Sequence, residues 1–301
     1  MVNTWIRYAD QGNIIHYGMT ILINVIDNSY FLDFISNVIL TELGFVVISA
    51  FMYLLIYRII SPFIFSHYST VYKDIERRQQ KCWDMRITSL ASSIILGLSS
   101  LILFIKYSFL HWNPIRFDAS NVLIRANICL LTGYIFADVL VILLSNESHE
   151  NVGFIAIYHH ILALFGLTYA NRWQCVSYMV NIRCVSEISS IFLHLRWFLS
   201  IHSVKKTSWL YLLNAALLTI SFTCCRITML PIYWFKLYHI FYSDLIPDSG
   251  IEASSQLSIK ARYTLICVCF CLDLMNLYWW LKLVRGCVRI ASMISSGYRK
   301  E

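Results

Sequence analysis

Residues 122–144 read VLIRANICLLTGYIFADVLVILL, and this run decides the fold. Its charged members are Arg125 and Asp138 alone, and it exceeds the ~20 apolar residues a helix needs to cross a bilayer. Lipid leaves the backbone two ways to satisfy itself, helices or closed barrels. The run is too long and too unalternating for a barrel strand. Six more stretches qualify on either side: Phe34–Tyr57, Ile87–Ile105, Val152–Ala170, Cys175–Ile201, Trp209–Leu230 and Tyr263–Val284. The expectation is an all-α integral membrane protein of seven transmembrane helices. The stretch from Cys175 is the least regular, because Asn181, Arg183, Glu187, His194 and Arg196 interrupt it, and it needs a polar interior to face.

Composition points the same way. Of the 301 residues 58% are apolar and 14% charged, where a soluble domain carries roughly 25% charged residues. Four Pro and ten Gly leave little turn material. A soluble enzyme, a disordered chain, a disulfide-stapled secreted module and a nucleic-acid binder are excluded. The net charge of +7 follows from the concentration of Lys and Arg in cytosolic loops. Most cysteines fall in apolar runs, where a thiol acts as a small hydrophobe; Cys82 and Cys287 flank such runs beside basic residues, where palmitoylation occurs.

Residues 1–33 show no signal-peptide pattern and read as a lumenal or exterior N-terminal arm. With seven spans the termini lie on opposite sides. Arg58, the basic residues from Lys73 to Arg86, Arg196, Lys205, Lys206 and those from Lys282 to Lys300 gather on one side and outnumber the basic residues opposite. The positive-inside rule then places the C-terminus in the cytosol. The sequon at Asn146 falls on the cytosolic side and should stay unmodified. Tyr72 to Arg86 reads as a charged, helix-compatible linker, and Ser243 to Ser258 as a loop.

An ionisable side chain at the bilayer centre costs roughly 2.5–3.5 kcal/mol, so such residues face a bundle interior and are functional candidates. The chain places Asp138 in the third span and His159 and His160 in the fourth. Arg183, Glu187 and His194 lie in the fifth, Arg226 in the sixth, and Asp273 with Asn276 in the seventh. Spans three to seven share the polar load, which suits a ring of helices around a polar cavity with the first span peripheral. Arg183 and Glu187 are i,i+4 and could neutralise each other; alternatively, Glu187 meets the histidines across a cavity with Arg183 setting its charge. His159, Ala163, Gly166 and Ala170 share one face, whose small residues admit a close neighbour. His160 points about 100° away, so the two imidazoles do not grip one metal. No HExxH, CxxC or Gly-rich phosphate loop occurs, so no metal site is expected.

Five motifs in order resemble the TLC domain: Trp83-Asp84-Met85-Arg86, Gly133-Tyr134-Ile135-Phe136-Ala137-Asp138, Tyr158-His159-His160, Arg226-Ile227 with Pro231, and Asp273-Leu274-Met275-Asn276 with Trp280. Ceramide synthases, translocation-associated membrane proteins and smaller TLC-domain-containing proteins share this domain. The resemblance implies a six-helix TLC bundle around a polar cavity over residues 78–292, after a first transmembrane helix at 34–60 and before a cytosolic tail at 293–301. It also implies endoplasmic reticulum or other endomembrane location and a concern with lipids. Ceramide synthases carry a second His-Asp pair, where this chain has Ser186 and Glu187. That departure, with Leu195-Arg196-Trp197-Phe198-Leu199, is more similar to the small TLC-domain proteins of the protein-four subgroup and argues against N-acylation of a sphingoid base.

The leading expectation is a protein that binds an acyl lipid and acts in membrane lipid homeostasis. The enzyme alternative is an acyltransferase of ceramide-synthase type with acyl-CoA as co-substrate. There His159 or His160 would be general base or acyl carrier, oriented by Glu187 or Asp138. A third reading is a non-enzymatic, lipid-linked trafficking or chaperone protein. Asp138, Arg183, His194, Arg226, Asp273 and Asn276 would be polar residues of the lipid cavity. The partners expected are membrane lipids of acyl or sphingolipid class, with a homodimer open and no resident cofactor.

Overall fold

The computed structural model describes residues 42–110, 122–144, 154–171, 176–242 and 258–298, and every described element is helical. The chain divides into two units, 1–44 and 45–301. Of the first only residues 42–44 are described, and the account below concerns the second. The N-terminal arm, the start of the first span, the Asn146 sequon, the 243–257 loop and residues 299–301 lie outside the described residues.

Among the described residues eleven α-helices follow in order: α1 (Glu42–Leu55), α2 (Ser61–Tyr68), α3 (Thr70–Asp74), α4 (Arg77–Leu110), α5 (Val122–Leu144), α6 (Phe154–Asn171), α7 (Ser177–Cys184), α8 (Glu187–Ile201), α9 (Trp209–Phe222), α10 (Met229–Tyr242) and α11 (Ile259–Tyr298). They form seven helical rods. Six are long and apolar enough to cross a membrane, and the protein is a multi-pass membrane protein. The rod formed by α6 is the shortest; its 18 residues extend about 27 Å, just under the ~30 Å hydrocarbon core.

The third span matches the sequence reading, while others run on. The first span continues past Tyr57 to Tyr68, and the sixth past Leu230 to Tyr242. Each contains a proline, and each solves it in the same way. A proline lacks the N–H that would bond four residues back, and its ring crowds that carbonyl. Single π-helical turns, Ile56–Ile60 before Pro62 and Thr223–Ile227 before Pro231, widen the helix at this point. The linker expected from Tyr72 to Arg86 is mostly helical: α3 starts on the Ser69 cap, whose hydroxyl accepts from the Tyr72 amide, and α4 begins at Arg77.

The fifth span breaks between α7 and α8. Three successive bonds, Ser186 N to Arg183 O, Ile188 N to Val185 O and Ser189 N to Ser186 O, reach back three residues rather than four. This tightening rotates Glu187 off the face that carries Arg183. Gly97 of α4 makes room for the break, since a Cβ there would lie 2.9 Å from the Ile188 amide nitrogen.

The first span is peripheral, as expected. Val47, Phe51 and Met52 are exposed, which in a bilayer means lipid-facing, while Tyr53 and Tyr57 are buried against the bundle. It lies close on α5. A Cβ on Gly133 would overlap the Val46 carbonyl oxygen, and the Ser49 hydroxyl donates to the Leu130 carbonyl at 2.6 Å. Inside, Asn127 of α5 donates to Ser100 and Asn181 at 3.3 Å each, and Asn181 donates to the Ser100 carbonyl. This buried amide network ties α4, α5 and α7 together.

The Trp83-Asp84-Met85-Arg86 motif builds one end of the molecule. Asp84 accepts from the Ser61 hydroxyl at 2.6 Å and the Tyr72 hydroxyl at 3.0 Å. Trp83 packs edge-on to Phe65, Tyr72, Trp197 and Phe198, and Arg86 lies over the Trp197 ring at 4.9 Å. Burial, and then the neighbouring Asp84 carboxylate, push the Tyr72 phenol above its ordinary range. These residues serve the fold, because they hold α2, α3, α4 and α8 at a common level.

Candidate functional site

Spans three to seven line a cavity of ≈ 140 Å³. Its lining sorts by position along the helices. Ala170, Val176, Leu237 and Leu265 form one end; His159, Glu187, Arg226 and Asn276, each eleven positions away on the same span, form the other. At 1.5 Å per residue the two sets are separated by about 16 Å. The first set is apolar and the second polar, within a lining that is otherwise mostly apolar. Ala163 and Gly166 keep the wall of α6 low between them, so the shared face read from the sequence faces this cavity.

The two histidines separate. His159 lines the cavity, edge-on to Trp279 with ring centroids 5.0 Å apart. Its Nδ1 is buried without a hydrogen-bond partner. His160 turns away towards α5, where its Nδ1 stands 2.8 Å from Asp138 Oδ2. That contact lies off the line of the ring N–H, so its attraction is more Coulombic than directional. The other oxygen of Asp138 accepts a 2.5 Å hydrogen bond from Tyr53. Tyr53, Asp138 and His160 thus join the first, third and fourth spans behind His159. Sequence reasoning missed Tyr53; the available signal was a pair of tyrosines, Tyr53 and Tyr57, four residues apart on a strongly apolar span.

Arg183 and Glu187 do not pair, which corrects the first of the two readings. Arg183 makes two N–H contacts to Asp273 of α11, the second at 2.9 Å. It also lies over the Tyr233 ring at 3.8 Å, and Asp273 accepts from the Trp234 indole at 2.9 Å. The planar guanidinium suits this two-pronged grip on a carboxylate. Both charges are thereby matched across spans five and seven. Glu187 is left on the cavity wall, where the Ser93 hydroxyl donates to it at 3.2 Å.

Arg226 projects from the π-helical turn of the sixth span, a distortion that often marks functional positions. It donates to Ser189 at 2.8 Å, Ser190 at 3.1 Å and Asn276 at 2.9 Å, all neutral oxygens. His194 is buried at Nδ1 but lies outside the cavity lining. Of the residues named from sequence, the cavity therefore collects His159, Glu187, Arg183, Arg226 and Asn276. Asp138, His160 and Asp273 stand behind its wall. Among the described residues no three His, Cys, Asp or Glu side chains converge as metal ligands would.

A polar set from four spans, at one end of a mostly apolar cavity, can seat an amphiphile with its head at His159 and its tail towards Leu237. The comparisons with known proteins bear on the fold around it. The model of the TLC domain matches residues 82–285. TLC domain-containing protein 4-B of Danio rerio is 28% identical over 236 residues, covering 78% of this chain and 85% of the relative. TLC domain-containing protein 4 of Homo sapiens is 27% identical over 248 residues, covering 82% and 89%. The Xenopus tropicalis protein of the same name is 26% identical over 243 residues, covering 81% and 89%. The chain belongs to the TLC-domain family of membrane proteins.

Proposed function

We propose that the protein binds an acyl lipid in the cavity between spans three and seven and acts in membrane lipid homeostasis. The site of action is the endoplasmic reticulum or another endomembrane, with the C-terminus in the cytosol. The observation that carries the reading is the sorting of the lining, four apolar residues at one end and four polar residues at the other. An acyl tail fills the apolar length, and the head spares His159, Glu187, Arg226 and Asn276 the cost of facing hydrocarbon.

One observation favours acyl transfer as a second reading. His159 lines a cavity that Glu187 also lines, and its Nδ1 carries no hydrogen bond. With acyl-CoA as co-substrate, His159 would take the proton of a hydroxyl or amine as that group attacks the thioester carbonyl. The proton would return to the departing CoA thiolate. His160 would have no direct part, because it faces Asp138 on the other side of the helix.

Lipid profiling of membranes with and without the protein tests the proposal, repeated with His159→Ala and His160→Ala. Homeostasis by binding gives a change in lipid composition that survives His159→Ala at least in part. Acyl transfer gives a change in one lipid class that His159→Ala abolishes. An unchanged profile in the presence of wild-type protein overturns both.

A further inference from the structure

The charges at the polar end of the cavity select among lipid head groups. Arg183 and Asp273 cancel each other within the wall. That leaves Arg226 and Glu187, which line the same cavity without an ion pair between them among the described residues. Arg226 uses three of its five N–H groups on Ser189, Ser190 and Asn276, so donors remain for a ligand. Glu187 accepts a single hydrogen bond, at Oε2 from Ser93, and its Oε1 remains to accept another. A guest here meets a cation that needs an acceptor and a carboxylate that needs a donor.

We infer that the cavity takes a neutral, single-chain lipid whose head carries both a hydroxyl and a carbonyl or ether oxygen, of the monoacylglycerol type. Its oxygen accepts from Arg226 while its hydroxyl donates to Glu187. A phosphate head would satisfy Arg226 but stand against the Glu187 carboxylate. A protonated amine would satisfy Glu187 but stand against Arg226. Both meet a like charge in a medium with little screening. One chain, rather than two, follows from the cavity of ≈ 140 Å³ and its single apolar end. The inference rests on the lipid-binding reading and narrows it.

The test measures binding of three probes with one oleoyl or oleyl chain each to the purified full-length protein in detergent, by native mass spectrometry. The probes are monoolein, oleoyl lysophosphatidate and oleylamine. Wild-type protein is expected to bind monoolein about tenfold or more tighter than either charged probe, since a like-charge contact at a buried site costs several kcal/mol. Glu187→Gln should raise the affinity for lysophosphatidate, and Arg226→Gln that for oleylamine. The wild-type ranking needs no variant and so survives any folding defect. Tighter wild-type binding of either charged probe, or variants that leave the ranking unchanged, would overturn the head-group inference while the lipid cavity stands. Binding of none of the three would overturn the cavity reading itself.

Discussion

Arg183 and Asp273, 90 positions apart in the chain, lie face to face and join the fifth span to the seventh. The pairing settles the charge of the fifth span without Glu187, and so releases that carboxylate to the cavity. Removing one member of a buried pair strands the other, at a cost on the order of 3–5 kcal/mol. Arg183→Met or Asp273→Leu should therefore lower the thermal midpoint in detergent steeply, and the double variant should recover much of the loss. Glu187→Gln should be milder, because a glutamine can still accept from Ser93 and no ion pair is broken. A Glu187→Gln loss equal to that of Asp273→Leu would return Glu187 to a structural role.

The seating of the first span on the third is tested at Gly133. A leucine there would overlap the Val46 carbonyl and Ser49, and overpacking of this kind costs about 1–3 kcal/mol. Tyr53→Phe keeps the ring but leaves Asp138 without its short hydrogen bond, a change worth about 1–3 kcal/mol. The two variants should lower stability through the same contact, so their effects should combine less than additively. Fully additive losses would mean that Tyr53 and Gly133 act independently.

Ser203 offers a stabilising change. It holds a left-handed backbone, φ 54°, just past the end of α8. Val204 N bonds Leu199 O and Ser203 N bonds Ser200 O, the arrangement in which glycine ordinarily occupies that position. Ser203→Gly should raise stability by about 0.5–1 kcal/mol, visible as a higher thermal midpoint. A lower midpoint would show that the serine hydroxyl matters more than the backbone.

Orientation is tested separately. The distribution of Lys and Arg predicts a cytosolic Glu301. A tag fused there should be reached by antibody when only the plasma membrane is permeabilised. A tag that stays protected would reverse the orientation or change the number of crossings.

The contrast between what was and was not legible in the sequence has physical causes. Val122–Leu144 was readable because apolar composition alone defines a buried span, and 14 of its residues are buried in the structure. The His159, Ala163, Gly166, Ala170 face was readable because α6 is a regular helix, so spacing gives direction. Where the helix is irregular, spacing misleads. Arg183 and Glu187 are i,i+4 in number only, since the tight turn at Val185–Ser186 rotates one from the other. Hydropathy ends the first and sixth spans too early, because π-helical turns carry both helices past Pro62 and Pro231. Partners on other spans, such as Tyr53 for Asp138 or Asp273 for Arg183, depend on helix rotation, which hydropathy does not encode.

The central claim, that the cavity holds an acyl lipid, is tested most directly by the lipid that stays with the protein. Ala163 lines the cavity and Phe165 of the same helix is exposed on its outer face. Ala163→Phe should fill the cavity, whereas Phe165→Leu should leave it open. Native mass spectrometry of the purified full-length protein should then find a lipid bound one to one in wild type and Phe165→Leu, and lost in folded Ala163→Phe. Equal lipid occupancy in all three proteins would contradict the account.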